Sequence, residues 1–179
     1  MKKLILCLFV SFCIIGCGTK MGNTPTKKVE GFINKYQTLD ISVLEDLDSV
    51  ISKENFNDEH KDKYRDIVKK NYQKMSYKIK DEVINGDTAV VTVEITVIDY
   101  SKINNETDLY LLNNPNEFKN ANGDYDSNLY NDYRIKKLEE VDETVTYTLE
   151  LELTKENDEW VLNDLDDMEL SKINGTYNY

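Results

Sequence analysis

The stretch SYKIKDEVINGDTAVVTVEITVI, residues 76–98, places apolar side chains at every second position. Before the turn pair Asn85-Gly86, Tyr77, Ile79 and Val83 alternate with charged residues. After it, one face carries Ala89, Val91, Val93, Ile95 and Val97. Because Asn-Gly favours the type I′ turn of a two-residue hairpin, the pattern predicts two antiparallel strands with one buried face.

A second hairpin with the same alternation is predicted in VTYTLELELTKENDEWVLNDLDD, residues 145–167. The chain turns within residues 155–159 and returns through Trp160 and Leu162. The apolar face of its first strand comprises Val145, Tyr147, Leu149, Leu151 and Leu153. The two hairpins predict four antiparallel strands with one buried face and one solvated face.

Three amphipathic helices are predicted before the first strand. Thr24 and Pro25 mark the start of the first helix, and Ser42 with Glu45 three residues later marks the second as a capping box. The third begins after Asn57 and presents Tyr64, Ile67, Val68, Tyr72 and Met75 on one face. A final helix is predicted between Asp166 and Gly175. The fold class is therefore α+β, with N-terminal helices packed on an antiparallel sheet of about four strands.

Residues 101–143 interrupt this pattern as an insertion rich in Asn, Asp and Tyr. A helix is predicted from about Ser127 to Leu138, and loop elsewhere. Tyrosines are favoured at interfaces, so the candidate interaction surface comprises Tyr110, Tyr125, Tyr130 and Tyr133. The segment is interpreted as a lid or edge that contributes a partner-specific surface, with a mere spacer as the alternative.

The N-terminus reads as a secretory signal, because Lys2 and Lys3 precede an apolar run over residues 4–15 that is too short to span a bilayer. The tetrapeptide IIGC at residues 14–17 resembles the lipobox of bacterial lipoproteins. That resemblance implies cleavage between Gly16 and Cys17 and acylation of the Cys17 thiol. The predicted organisation is a signal peptide over 1–16, a flexible tether over 17–23 and one domain over 24–179. The implied location is the extracytoplasmic face of the cell membrane, with the membrane as a partner through the covalent lipid.

Composition also indicates which partners and which chemistry are not expected. The formal net charge is -12, and nucleic-acid binding, which relies on clustered Lys and Arg, is not expected of such a surface. Cys7 and Cys13 lie in the segment predicted to be removed, so cysteine chemistry is not expected in the mature chain. Lysine outnumbers arginine twenty to two, which is typical of AT-rich coding sequences and predicts a low-GC Gram-positive source.

The order of predicted elements resembles the nuclear transport factor 2-like superfamily, in its small bacterial lipoprotein branch. The matching motifs are a Y-x-I strand at residues 77–79, a G-D-x-A-x-V hairpin at 86–91 and an L-x-K…W-x-V hairpin at 153–161. This resemblance implies a cone in which a curved sheet wraps around helices and leaves a pocket at its open end. Enzymes of that superfamily use Asp and Tyr side chains inside the cone, so the candidate pocket residues are Tyr77, Asp99 and Tyr100, with Asp81 also considered.

Two functions remain open at this point: a binding or protein-interaction module for an unknown protein or small-molecule ligand, which is favoured, and a small-molecule enzyme using the cone pocket. His60, the one histidine, is interpreted as an exposed helix residue within NDEHKDK. Asp124, Asp126 and Asn128 have the first spacings of a calcium loop, but Leu129 replaces its glycine and Ile135 its glutamate, so a polar turn is expected. Neither a metal nor a cofactor is predicted.

Overall fold

The structure, a computed structural model, describes residues 22–178. The helices of this part are α1 (Pro25–Gln37), α2 (Ile41–Ile51), α3 (Asp58–Lys74), α4 (Tyr100–Asn113), α5 (Ser127–Glu140) and α6 (Asp167–Asn174), with a 3₁₀ helix at Pro115–Phe118. The strands are β1 (Ser76–Asn85), β2 (Thr88–Ile98), β3 (Thr144–Glu156) and β4 (Glu159–Leu162), and they form an open antiparallel sheet in the order β1-β2-β3-β4. The α+β class is confirmed, whereas the cone stays a prediction. Cys17, Gly16 and the predicted signal peptide lie outside the described residues.

The two central strands have the predicted faces. Val91 pairs with Leu151 and Val93 with Leu149, so the apolar side chains of both strands share one face. All the predicted core positions of β2 are buried, as are Tyr147, Leu149, Leu151 and Leu153 of β3. Helices α1, α3 and α6 cover this face, so the core lies between one helical layer and the sheet.

Strand β1 departs from the predicted alternation halfway along its length. Tyr77 and Ile79 pair with Ile95 and Val93, but the register shifts between Ile79 and Asp81. A bulge of this kind transfers later side chains to the opposite face. Val83 therefore lies on the outer face with 58% of its surface exposed, and its predicted burial was wrong.

The first hairpin turn differs from the prediction, whereas the second lies within the predicted residues 155–159. The first loop is Gly86-Asp87, one residue later than predicted, and φ is positive at Gly86 (62°) but not at Asp87, which fits type II′ rather than type I′. The second loop, Asn157-Asp158, has positive φ at both positions (49° and 66°), the pattern of a type I′ turn.

Polar side chains fix the starts of the helices. Thr24 caps α1, and Asn57 caps α3, as predicted. The cap of α2 is Asp40 rather than Ser42, because the Asp40 carboxylate already accepts hydrogen bonds from the Ser42 N–H (3.0 Å) and hydroxyl (2.7 Å). Helix α6 has the predicted Asp166 cap, completed as a capping box by Glu169.

Gly175, which follows α6, packs against the junction between the end of β2 and the start of α4. Its carbonyl oxygen accepts from the N–H groups of Tyr100 (2.8 Å) and Ser101 (3.1 Å). Its φ of 70° is left-handed, and a Cβ at this position would overlap the carbonyl oxygen of Ile98. The buried Asn71 amide reinforces the junction, because it accepts from the Ile98 N–H (2.8 Å) and donates to the Ile173 carbonyl (3.2 Å).

Asn23 holds the start of the described chain against the second turn. Its side chain donates to the Asp158 carbonyl (2.7 Å) and accepts from the Trp160 N–H (3.1 Å). One helical turn further on, the Thr26 N–H and hydroxyl donate to the Glu82 carboxylate. The chain therefore enters the domain at the end of the sheet where both hairpins turn.

Candidate functional site

The candidate pocket residues predicted from the sequence occupy three different environments. Tyr77 is half-buried on the inner face of β1 and packs against the main core. Asp99 caps α4, with its carboxylate accepting from the Ser101 N–H (3.1 Å) and hydroxyl (2.6 Å). Tyr100 is buried, and its hydroxyl donates to the Ile67 carbonyl (3.1 Å). Asp81 lies exposed at the bulge of β1. Of these residues, only Tyr100 lines the apolar cleft of the helical layer.

An apolar cleft of about 310 Å³ opens in the helical layer, close to the end of the sheet that is opposite the turns. Helices α2 and α3 each contribute four lining residues, and α1, α4, α5 and the α6 region supply the others. The residues that line it are Tyr36, Val43, Asp46, Leu47, Val50, Tyr64, Ile67, Val68, Tyr72, Tyr100, Asn104, Leu138, Leu170, Asn174 and Thr176. This lining, mostly apolar with a few polar groups, is typical of small-molecule sites.

A larger hollow of about 560 Å³ lies on the outer side of β3, under residues 163–172. It is more open, and its lining includes Glu150, Glu152, Asp164 and Glu169. Such a polar, solvated surface lacks the apolar lining of a binding pocket. The tyrosine-lined cleft is therefore the candidate site.

Four tyrosines dominate the cleft. The rings of Tyr36 and Tyr72 meet edge to face, with 4.9 Å between their centroids. The Tyr72 hydroxyl donates to the Asn174 side-chain oxygen (2.8 Å), just as the Tyr100 hydroxyl donates to Ile67. Burial raises the pKa of Tyr36 to about 12, and it also raises the pKa of Tyr64, Tyr72 and Tyr100. All four phenols are therefore neutral at physiological pH.

Asp46 alone carries a charge among the described residues that line the cleft. It lies exposed on α2, at the mouth, and its proximity contributes to the raised pKa of Tyr36. Val50 and Leu170 are also exposed at the mouth. The nearby Arg134 guanidinium lies 6.0 Å from the centroid of the Tyr64 ring, and its Nε donates to Asn104 (3.2 Å). The cleft thus combines aromatic walls with one carboxylate.

The four tyrosines of the candidate interaction surface belong to an arm, residues 100–141, that has an aromatic core of its own. Tyr110 and Tyr133 stack with centroids 4.8 Å apart, and both contact the buried Phe118. Tyr130 meets Phe118 edge to face at 5.6 Å and donates to Asp108 through its hydroxyl. Only Tyr125 of the four is largely exposed. Most of this tyrosine surface is therefore used inside the arm.

The arm is more regular than its sequence indicates. Helix α5 confirms the predicted helix and extends it to Glu140, but α4 and the 3₁₀ helix occupy residues predicted as loop. Helix α4 buries only Tyr100 and Thr107, and its apolar residues show little helical periodicity. Asp126 caps α5 by accepting from the Asn128 N–H (2.9 Å).

Within residues 22–178, the acidic and histidine side chains form no cluster suited to a metal ion.

His60 is buried, and its interpretation as an exposed residue was wrong. Only 2% of its surface is exposed, and its Nε2 lies 2.8 Å from an Asp132 carboxylate oxygen of α5. Its Nδ1 is buried without a hydrogen-bond partner among the residues described. His60 lies one helical turn before Tyr64 and two turns before Ile67, so extending the predicted apolar face of α3 by one turn indicates its burial. The side chain links the helical layer to the arm.

Comparison with known proteins identifies little. No family model matches the chain, and no curated protein matches it. One crystal structure with a similar arrangement is that of YcdA from Bacillus subtilis, described as a candidate lipoprotein, with a TM-score of 0.44 and 16% sequence identity. The match covers 83% of this chain but only 46% of YcdA, so the chain spans less than half the length of that protein. A likeness at this TM-score carries no functional assignment.

Proposed function

We propose that this chain is an extracytoplasmic lipoprotein, anchored through Cys17 to the membrane of a low-GC Gram-positive bacterium, whose domain binds a small molecule in the tyrosine-lined cleft. The cleft is the observation that carries the proposal. Its volume of about 310 Å³ lies at the lower end of the range for small-molecule sites, roughly 300–1,000 Å³. The cone of the nuclear transport factor 2-like superfamily is part of the same proposal, supported by the order of three helices, hairpin, crossover and hairpin.

Binding is proposed rather than catalysis because of the chemistry of the lining. The Tyr72 and Tyr100 hydroxyls already donate within the protein, and the raised pKa values of the phenols keep them neutral. Neutral phenols suit aromatic contact and hydrogen bonding better than proton abstraction. The lining therefore favours recognition of a ligand over its conversion.

The anchor rests on the sequence at residues 14–17. A thioether at Cys17 carrying a diacylglycerol adds two acyl chains, and each buried methylene contributes about 0.8 kcal/mol to membrane binding. Within residues 22–178, none of the helices has the length and apolar character to cross a membrane. Anchoring through lipid gives a domain of this kind a stable place on the membrane surface.

Blocking the mouth of the cleft tests the binding proposal. Val50 is 54% exposed at the mouth, so Val50→Trp should place an indole over the opening without disturbing the core. Saturation-transfer NMR with a library of small aromatic fragments should detect fragments that bind the wild-type chain and not this variant. Ile41→Trp is the matched control, because Ile41 lies on the same helix, is 72% exposed and does not line the cleft. Fragments that bind both variants equally would contradict the proposal.

Replacing the predicted acylated cysteine tests the anchor. Cys17→Ala should abolish incorporation of labelled palmitate and leave uncleaved precursor, because no thiol remains at the cleavage site to carry the lipid. Cys13→Ala serves as the control, since this residue lies in the predicted signal peptide and should not change labelling. Wild-type chain recovered without lipid and cleaved elsewhere would overturn the anchor.

A further inference from the structure

We propose that the cleft selects organic cations, namely ligands in which a substituted ammonium group is attached to an apolar body. This inference rests on the proposed function, because it assigns a ligand class to the same cleft. It follows from the aromatic lining, from the hydrogen bonds of the tyrosine hydroxyls and from the charge at the mouth.

The aromatic lining is suited to a cation. Tyr36, Tyr64, Tyr72 and Tyr100 surround one cavity, and the edge-to-face contact of Tyr36 with Tyr72 sets two of the rings at 87° to each other. Aromatic rings attract cations through their quadrupole, and sets of such rings recognise quaternary ammonium groups. The Arg134 guanidinium near Tyr64 places a protein cation against one of these rings from outside the lining.

Two of the four tyrosine hydroxyls already donate within the protein, which disfavours an anion. Tyr72 donates to Asn174, and Tyr100 donates to the Ile67 carbonyl, so these two donors are directed to partners within the protein. Among the described lining residues, neither a lysine nor an arginine is present. A carboxylate or phosphate in this cleft would lose its hydration without gaining a charged donor, which is costly.

The charge of the site has the sign that a cation requires. Asp46 is the charged residue of the described lining, and it lies at the mouth between Val43 and Val50. A carboxylate and aromatic rings in an otherwise mostly apolar lining match a ligand with a positive head and an apolar body. The net charge of -12 adds a long-range attraction for cations.

A pair of isosteric probes tests the inference. Choline and its uncharged carbon isostere 3,3-dimethylbutan-1-ol have nearly the same shape and differ in charge. Titrations of the full chain in non-ionic detergent, followed by saturation-transfer NMR, give both dissociation constants. Choline should bind about tenfold more tightly than the isostere, a difference of about 1.4 kcal/mol. Val50→Trp should abolish the binding of both probes, which places them in the cleft.

Two variants assign the preference to Asp46. Asp46→Asn should weaken choline binding about three- to tenfold and leave the isostere unchanged. Glu45→Gln changes the net charge equally on the same helix but does not line the cleft, so it should have no effect. Equal affinity for the two probes, or an unchanged choline affinity in Asp46→Asn, would overturn the inference and leave the proposed function intact. If the aromatic fragments also fail to bind at the cleft, the proposed function is overturned with it.

Discussion

The central strands and the arm bury their side chains by different means. In β2 and β3, aliphatic side chains alternate along the chain, and the register places them on one face. In the arm, Tyr110 of α4 and Tyr130 and Tyr133 of α5 converge on Phe118 of the 3₁₀ helix, without an alternating pattern in the sequence. The difference shows that a fold of this size can combine a core specified by backbone period with one specified by contacts between rings.

The arm is attached to the rest of the domain through a limited set of contacts. Its apolar contribution is a cluster in which Tyr100 of α4 and Ile135 and Leu138 of α5 meet Ile67 and Ile98. A polar contribution comes from His60 and Asp132. Since elements with fewer buried contacts open at lower free energy, we expect the arm to open before the sheet.

The largest expected effect is at the centre of the sheet. Leu151 is fully buried, so Leu151→Ala should lower the free energy of unfolding by about 2–5 kcal/mol, the range for buried leucines. Glu150→Ala, on the solvated face of the same strand, should cost less than about 0.5 kcal/mol. Urea denaturation of both variants measures these values. Similar losses for the two would contradict the one-sided sheet on which the comparison rests.

A smaller effect, confined to the arm, is expected at Phe118. Phe118→Ala should cost about 3 kcal/mol, the lower end for a buried phenylalanine, because the aromatic cluster lies in the element that opens first. Hydrogen exchange should accelerate in α4 and α5 while β2 and β3 keep their protection. Tyr125→Ala is the exposed control and should change stability by less than about 0.5 kcal/mol. Uniform acceleration through the sheet would show that the two regions unfold as one.

The next effect concerns the link between the regions. His60→Ala removes a buried ring and its hydrogen bond to Asp132, so a loss of about 1–2 kcal/mol is expected. Exchange in α5 should accelerate more than exchange in α1. Gln73→Ala, at an exposed position of the same helix, provides the control for urea denaturation. Equal stabilities of the two variants would exclude His60 as a link.

The smallest effect is expected on the pH dependence of stability. It is tested with a tyrosine of the helical layer and one of the arm. An unfolded tyrosine ionises near pH 10, whereas burial raises the pKa of Tyr36 to about 12. Below pH 10 the phenol is neutral in both states and its contribution is fully present. As the pH rises from 10 to 12, the unfolded state ionises first, so stability is lost.

Tyr36→Phe should therefore make the fall in unfolding free energy between pH 10 and 12 shallower and leave values at pH 8 within about 0.5 kcal/mol of wild type. Urea denaturation at a series of pH values measures both. Tyr110→Phe should change the profile less, because the Tyr110 pKa is raised mainly by its hydrogen bond to Glu117 at a solvated site. A steeper fall for Tyr36→Phe would contradict the assigned cause.

The sequence predicted those parts of the fold that depend on neighbours along the chain. Alternation located the buried side chains of β2 and β3, and the Asp166 and Gly175 signals located both ends of α6. Alternation failed for Val83, because a bulge leaves no mark in an alternating pattern. The helical pattern failed for α4, because the apolar residues after its Asp99 cap show only weak helical periodicity.

The candidate site was largely hidden from sequence reasoning. Tyr100 was predicted as a pocket residue, but the cleft also requires Tyr36 of α1, Asp46 of α2 and Leu170 of α6. These residues come together only through packing of helices that are distant along the chain. A void between helices has no periodic signature, so its lining cannot be read from any single segment.

The attachment of Asn23 to the second turn determines which end of the domain lies nearer to the proposed anchor. If Cys17 is acylated as proposed, six residue steps separate the lipid from Asn23, a reach of roughly 20 Å when fully extended. Strand β2 has 11 residues, a length of roughly 35 Å. Under that proposal the connection would be shorter than the sheet, so the hairpin turns would lie nearer to the lipid than the opposite end of the sheet does. Under the proposed anchor, the mouth of the cleft therefore lies near the end of the sheet that is farther from the point of attachment.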